Sequence, residues 1–157
     1  MQLRPPATPD EWAATREILR EYVQSLEAEL DMATLEHELA HLPGDYAEPR
    51  GGLLLAWVDG ELAGCCALRP LDTSDYPNAS EMKRLYVRRA FRGFGLGRQL
   101  AEATMDLARR GGYACVLLDT LDAMEAARAL YADLGFEEVP PYYLSPLSGA
   151  HYLKASI

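Results

Sequence analysis

Hydrophobic side chains recur along this chain with two different periods, and the changes of period mark out its elements. Ile18, Leu19, Tyr22, Val23, Leu26 and Leu30 fall at helical spacing and predict a first amphipathic helix ending near Glu29. Thr8-Pro9-Asp10-Glu11 reads as its start, with Thr8 as cap, Pro9 in the first turn and Glu11 closing a capping box. A shorter helix is expected from about Ala33 to Leu42, stopping before Pro43-Gly44, and Gln2 to Arg4 suits a short strand. The apolar stretch Gly52 to Val58, the turn Asp59-Gly60 and the stretch Glu61 to Leu71 form a hairpin signal. Ser80 to Val87 alternates as a third strand of that meander.

Helical spacing returns at Leu100, Ala103, Thr104, Leu107 and Ala108, and ends at Arg109-Arg110-Gly111-Gly112. Arginines there suit the negative end of the helix dipole, and the glycines suit its cap. Ala114 to Leu118 is a continuous apolar run, as in a strand buried on both faces. Ala123 to Leu134 predicts another helix, and short strands are expected around Phe136 to Val139 and Ala150 to Ala155. The order strand, two helices, three strands, helix, strand, helix, two strands describes a mixed α/β (α+β) fold, and residues 1–157 fit a single domain.

Composition narrows the class. Apolar content of 49% with 25% charged residues is that of a globular protein. Runs such as Leu53 to Val58 are far too short to cross a bilayer, and the N-terminus shows no secretory pattern, so no membrane role is expected. The three cysteines, with Cys65 and Cys66 adjacent in one strand, read as buried apolar residues of a reducing compartment, which points to the cytoplasm. A net charge of −9 argues against a nucleic-acid partner. Yet Met82 to Ala101 contains no Asp or Glu while carrying Lys83, Arg84, Arg88, Arg89, Arg92 and Arg98. Like charges gathered so closely repel unless an anion compensates them, so an anionic ligand is one reading and a solvated basic face the other.

Within that run lies R-G-F-G-L-G-R, Arg92 to Arg98, between a strand ending near Val87 and a helix beginning near Gly95. A helix start presents unpaired N–H groups and partial positive charge, and glycine brings the backbone close to a phosphate. Arg92 and Arg98 could add charge-assisted hydrogen bonds. The run lacks the G-K-[ST] ending of a nucleoside-triphosphatase loop, and its third glycine comes one residue too early for a dinucleotide-binding fingerprint.

Arg92-Gly93-Phe94-Gly95-Leu96-Gly97 resembles the R/Q-x-x-G-x-G/A signature of the GNAT superfamily of acyl-CoA-dependent N-acetyltransferases. The flanking L-Y-V-R-R-A-F and R-Q-L-A-E-A are also similar to that motif, and Leu118 to Phe136 is similar to the family region ending in A-x-x-L-Y-x-x-L-G-F. The resemblance covers nearly the whole chain. It implies a central, mostly antiparallel twisted sheet flanked by about four helices, with strands splayed at the cofactor site. Acetyl-CoA is the implied cosubstrate, its pyrophosphate on backbone amides from Arg92 to Arg98. The strand at Leu85, Tyr86 and Val87 would splay from Val116 to Leu118 and pair with pantetheine, with the Val87 amide near the thioester carbonyl. One departure stands out: many relatives carry Asn where this chain has Met124.

Transfer to a primary amine by direct attack in a ternary complex needs a proton for the departing thiolate and a base for the ammonium. Tyr131 matches the family tyrosine near the sulfur and is the expected general acid. Glu81, eleven residues before Arg92, matches the family's strand glutamate and is the expected base, directly or through water; its plain alternative is a partnership with Lys83 or Arg84. Asp119 is a lesser candidate. The acceptor is expected to be a small-molecule amine, drawn by the eleven acidic residues between Asp10 and Glu48 or walled by Pro140-Pro141-Tyr142-Tyr143 and His151; those acids otherwise form the solvated faces of two helices. Two rival functions remain: an acyl-CoA-binding sensor without catalysis, and a zinc hydrolase using His37-Glu38-x-x-His41. The second lacks the downstream histidine pattern, so no metal is expected. The sequence does not read out an oligomeric state, and a homodimer, the commonest assembly, stays open.

Overall fold

Caps and turns act where the pattern places them. In the computed structural model, which describes residues 1–26, 32–121, 124–143 and 149–157, Thr8 caps helix α1 (Pro9–Ser25), its hydroxyl accepting from the Glu11 amide at 3.1 Å. The Glu11 carboxylate reaches past the cap to the Ala7 amide (2.8 Å) and to Arg4 of strand β1 (Gln2–Arg4), and the Arg4 hydrogen bonds hold it at a pKa of about 2. Helix α2 (Met32–Ala40) and a 3-10 turn at Gly44–Tyr46 lead into β2 (Gly52–Val58) and β3 (Glu61–Pro70). Asp59 and Gly60 both have positive φ (51° and 81°), the type I′ geometry whose twist matches a hairpin. Strand β4 (Ala79–Val87), helix α3 (Leu96–Arg110), β5 (Cys115–Leu121), helix α4 (Glu125–Asp133), β6 (Glu137–Val139) and β7 (Ala150–Ser156) follow in the expected order. The expected extension of the first helix to Glu29, the Ala123 start of the last helix and positions 144–148 of the proline-tyrosine loop lie outside the described residues.

The strands form one sheet in the order β1-β2-β3-β4-β5-β7-β6, antiparallel throughout except for the parallel pair β4–β5. Helices α3 and α4 cover one face, where Leu96, Leu100, Met105 and Tyr131 meet Leu54, Cys66, Met82, Val116 and Leu118. Helices α1 and α2 cover part of the other, with Ile18, Leu19, Leu35 and Leu39 against Leu53, Leu55 and Cys65. The adjacent cysteines thus point into opposite cores, as strand alternation requires, and all three are free and buried. No helix among the described residues is long and apolar enough to cross a membrane.

Strand β4 is not regular. Cys65 pairs with Tyr86 and Ala67 with Lys83, so Arg84 and Leu85 together oppose the single residue Cys66, and Arg84 takes a left-handed backbone (φ 61°). This bulge bends the strand that carries Glu81 and Leu85 to Val87.

Leu100 is fully buried and its methyl groups lie against Gly64 of β3. Leu100→Ala should destabilise the fold by roughly 2–5 kcal/mol, read as a lower midpoint in chemical denaturation with unchanged slope.

Candidate functional site

The glycine loop departs from β4 through a 3-10 turn at Arg89–Phe91. Gly93 (φ 90°) and Gly95 (φ 79°) are left-handed, with open space where a Cβ would stand, so glycine serves backbone conformation here. Gly95 is the N-cap of α3, and the Gln99 amide is the first to find a helical partner, Gly95 O at 3.1 Å. Among the described residues, the amides of residues 93–98 donate no hydrogen bond. They form a row of free donors at the positive end of a helix, which is what an anion cradle requires.

Three expectations about this loop need correction. The Arg92 amide is already spent on Arg89 O (3.2 Å), so the cradle begins at Gly93. The two arginine side chains turn away: Arg92 Nε donates to Val87 O (2.8 Å) with its guanidinium over the Tyr86 ring, and Arg98 pairs with Glu102 (3.0 Å) and Asp133 (3.6 Å). The basic run is also compensated from within, because Arg84 meets Glu38 of α2 and Arg88 meets Glu21 of α1. Acids remote in sequence fold onto the run. The case for a bound anion therefore rests on the amides.

Beside the cradle, two strands part. The parallel β4–β5 pairing holds for Ala79–Cys115, Ser80–Val116 and Glu81–Leu117 and then stops, although both strands continue. Val116 and Leu117 are still paired, so of the expected segment Val116 to Leu118 only Leu118 lies beyond the paired ladder. Its β4 lip carries Leu85, Tyr86 and Val87. Because Arg88 N bonds Ala63 O (2.8 Å), ladder alternation turns the Val87 amide away from β3 and toward the slot.

Tyr131 of α4 is buried against Phe136 (ring centroids 5.6 Å apart) in the same core as Leu118 and Met82, and its hydroxyl finds no partner among the described residues. Burial raises its pKa well above the usual phenol value. Met124 is the N-cap of α4, and the Thr120 hydroxyl points at its sulfur (3.7 Å).

Glu81 is completely buried and engaged on both oxygens. Oε1 accepts from Arg69 Nε (2.7 Å) and lies 2.7 Å from its Nη2, while Oε2 accepts from the Tyr142 hydroxyl (2.6 Å). Of the two partners expected from sequence, Lys83 does form an ion pair with Glu81, a long one at 3.9 Å, while Arg84 is committed to Glu38; the short contacts come from Arg69. Arg69 is the cross-strand neighbour of Glu81, and such pairs share a face. Sequence reasoning missed both Arg69 and the tie to Tyr142; the hairpin register was the one signal for the first. Asp119, near the end of β5, accepts from the Tyr143 hydroxyl (2.7 Å), and Tyr142, Tyr143 and Tyr152 stack edge-on into an aromatic wall.

The acidic segment is partly spent on arginines: Glu11 on Arg4, Glu36 on Arg20, Glu21 on Arg88 and Glu38 on Arg84. On the H-E-x-x-H helix, the His37 and His41 ring centroids lie 4.2 Å apart, His41 Nδ1 lies 2.7 Å from His37 O, and Glu38 accepts from the Tyr46 hydroxyl (3.0 Å) and pairs with Arg84. No group of three or more His, Cys, Asp or Glu able to hold a metal occurs among the described residues. His151 lies 2.8 Å from Glu138.

A sheet opened by a splay, with a row of free amides at the adjoining helix start, places an open strand edge beside an anion cradle. The model of the acetyltransferase (GNAT) family matches residues 12–136, and the chain belongs to that family of N-acetyltransferases. An uncharacterised N-acetyltransferase of Schizosaccharomyces pombe is 35% identical over 138 residues, covering 87% of this chain and 83% of the relative. In fold, the chain is similar to an acetyltransferase from Streptococcus agalactiae (TM-score 0.81, 20% identity, 99% and 98% of the two chains). It is also similar to a putative acetyltransferase from Salmonella typhimurium solved with acetyl-CoA (TM-score 0.77, 22% identity, 99% and 93%).

The Arg69–Glu81 pair predicts an asymmetry. Arg69→Met strands a carboxylate in the core and should cost roughly 3 kcal/mol of stability, whereas the double variant with Glu81→Leu should recover most of it. Denaturation of the two variants side by side checks this.

Proposed function

We propose that the protein transfers the acetyl group of acetyl-CoA to a primary amine of a small molecule, by direct attack in a ternary complex. The observation that carries this reading is the row of free amides at residues 93–98 opening beside the slot between β4 and β5. Those amides would hold the pyrophosphate, and the backbone of Leu85, Tyr86 and Val87 would line the pantetheine arm. Acetyl-CoA supplies an activated thioester carbonyl. The Val87 amide, aimed into the slot, would donate to the oxygen on which negative charge develops.

Tyr131 suits the acid role. Its hydroxyl is unpartnered among the described residues, and burial keeps the phenol protonated at neutral pH, ready to give its proton to the departing thiolate. Glu81 takes part through Tyr142 in this reading: the hydroxyl passes its own proton to Glu81 Oε2 while its oxygen receives one from the acceptor ammonium. Buried free cysteines fit a cytoplasmic setting.

A panel of amines supplied with acetyl-CoA, followed by release of free thiol, tests the activity; silence across a broad panel would overturn it in favour of a sensor. With any active amine, Tyr131→Phe should lower kcat by roughly 10²-fold while coenzyme A affinity changes little, as calorimetry would read. Gly95→Glu places a Cβ at φ 79° and a carboxylate in the cradle, and should weaken coenzyme A binding by about 100-fold or more without loss of the far-ultraviolet dichroism.

A further inference from the structure

The β4 bulge does what a regular strand cannot. Successive strand side chains alternate between faces, yet Lys83 and Arg84 both serve the α1/α2 face: Lys83 Nζ lies 3.9 Å from Glu81 Oε1, and Arg84 Nη2 reaches Glu38 of α2 at 3.3 Å. The left-handed backbone of Arg84 (φ 61°) brings them together, a conformation that persists in a residue with a Cβ only where its surroundings hold it.

The two cations differ in their company. Arg84 is balanced by Glu38, which also accepts from Tyr46. Lys83 is four-fifths buried (side chain 20% exposed), but its neighbour Glu81 is already taken on both oxygens by Arg69 and Tyr142. The Lys83 ammonium makes no hydrogen bond among the described residues. Across the slot, the register that ends at Glu81–Leu117 would bring Lys83 level with Asp119 on the same face if it ran two residues further. Asp119 uses Oδ2 for the Tyr143 hydroxyl, and its Oδ1 has no partner among the described residues. One lip therefore offers an ammonium with a single long ion pair and no hydrogen bond among the described residues, and the other a carboxylate oxygen without a donor among them. Tyr142 and Tyr143 wall the end of the space between them.

We infer that the acceptor is a zwitterion of the amino-acid kind, whose carboxylate is held by Lys83 with Arg84 beside it and whose ammonium meets Asp119 at the slot. The inference rests on the transferase reading above and supplies its acceptor class. Lys83 shares Glu81 with Arg69, so a simple cationic amine would bring a third positive charge to one carboxylate, whereas a zwitterion brings a carboxylate of its own.

The test uses matched acceptors that differ by the carboxylate alone: L-tyrosine and tyramine, L-histidine and histamine, L-methionine and 3-(methylthio)propylamine. With acetyl-CoA, the carboxylate-bearing member of at least one pair should show a kcat/KM about tenfold or more above its decarboxylated partner, the effect of one charge-assisted bond. Lys83→Met should erase that preference through KM, and Lys83→Arg should restore most of it. Binding of the same amino acids to the protein saturated with coenzyme A, read by calorimetry, separates the two failures. Binding that Lys83→Met abolishes, with no thiol released from any acceptor, sustains the subsite and sinks the transferase reading. Turnover of the amines with no preference for the carboxylate, or a preference that Lys83→Met leaves intact, overturns the subsite and spares the transferase. Neither binding nor turnover overturns both.

Discussion

The candidate site of this molecule hangs on a parallel ladder that stops. Backbone groups of a buried strand must be paired or cost free energy, and β4 and β5 satisfy that rule only as far as Glu81 and Leu117. Beyond that step each strand keeps its outer neighbour, β3 for one and β7 for the other, so neither can close the gap. Donors and acceptors along the inner lips are left for a guest. The Arg84 bulge lies just beyond the last paired step, where its extra residue bends β4 and brings two cations to one face.

The slot is braced from its closed end. Glu81 sits at the last paired step and ties three elements together through Arg69 of β3 and Tyr142 of the loop after β6. A carboxylate this deeply buried is tolerable only with its charge answered and its lone pairs occupied, and here both conditions hold. The same bonds limit its chemistry, because a proton reaches Glu81 most directly by way of Tyr142. In the proposed reaction, structural bracing and proton handling would share one side chain. The anion cradle is built on a different economy: it uses main-chain amides freed by glycine torsions, while the arginines that flank it in sequence are occupied elsewhere.

Much of the fold was legible in the chain because its signals are local. The helical spacing of Leu100 to Ala108, the Thr8 cap and the Asp59-Gly60 turn each act over a few residues, and each appears where expected within the described residues. The two left-handed positions in Arg92 to Arg98, Gly93 and the helix-capping Gly95, likewise follow from glycine alone. The partners of charged groups were not legible in this way. Lys83 and Arg84 are the near neighbours of Glu81 in sequence, yet Arg69 holds it; Arg88 and Arg84 are compensated by Glu21 and Glu38, far back along the chain.

The physical reason is register. A one-residue slip or a single bulge moves a side chain to the opposite face of a sheet, so which acid meets which base depends on pairings between distant strands. The sequence by itself determined the elements, their order, the family they belong to and the glycine-turned amides that open α3, since these rest on torsions and spacings within a turn or two. Tertiary structure alone decided where the ladder ends, which way Lys83 and Arg84 face and what surrounds Glu81, because those depend on cross-strand geometry that no local pattern encodes.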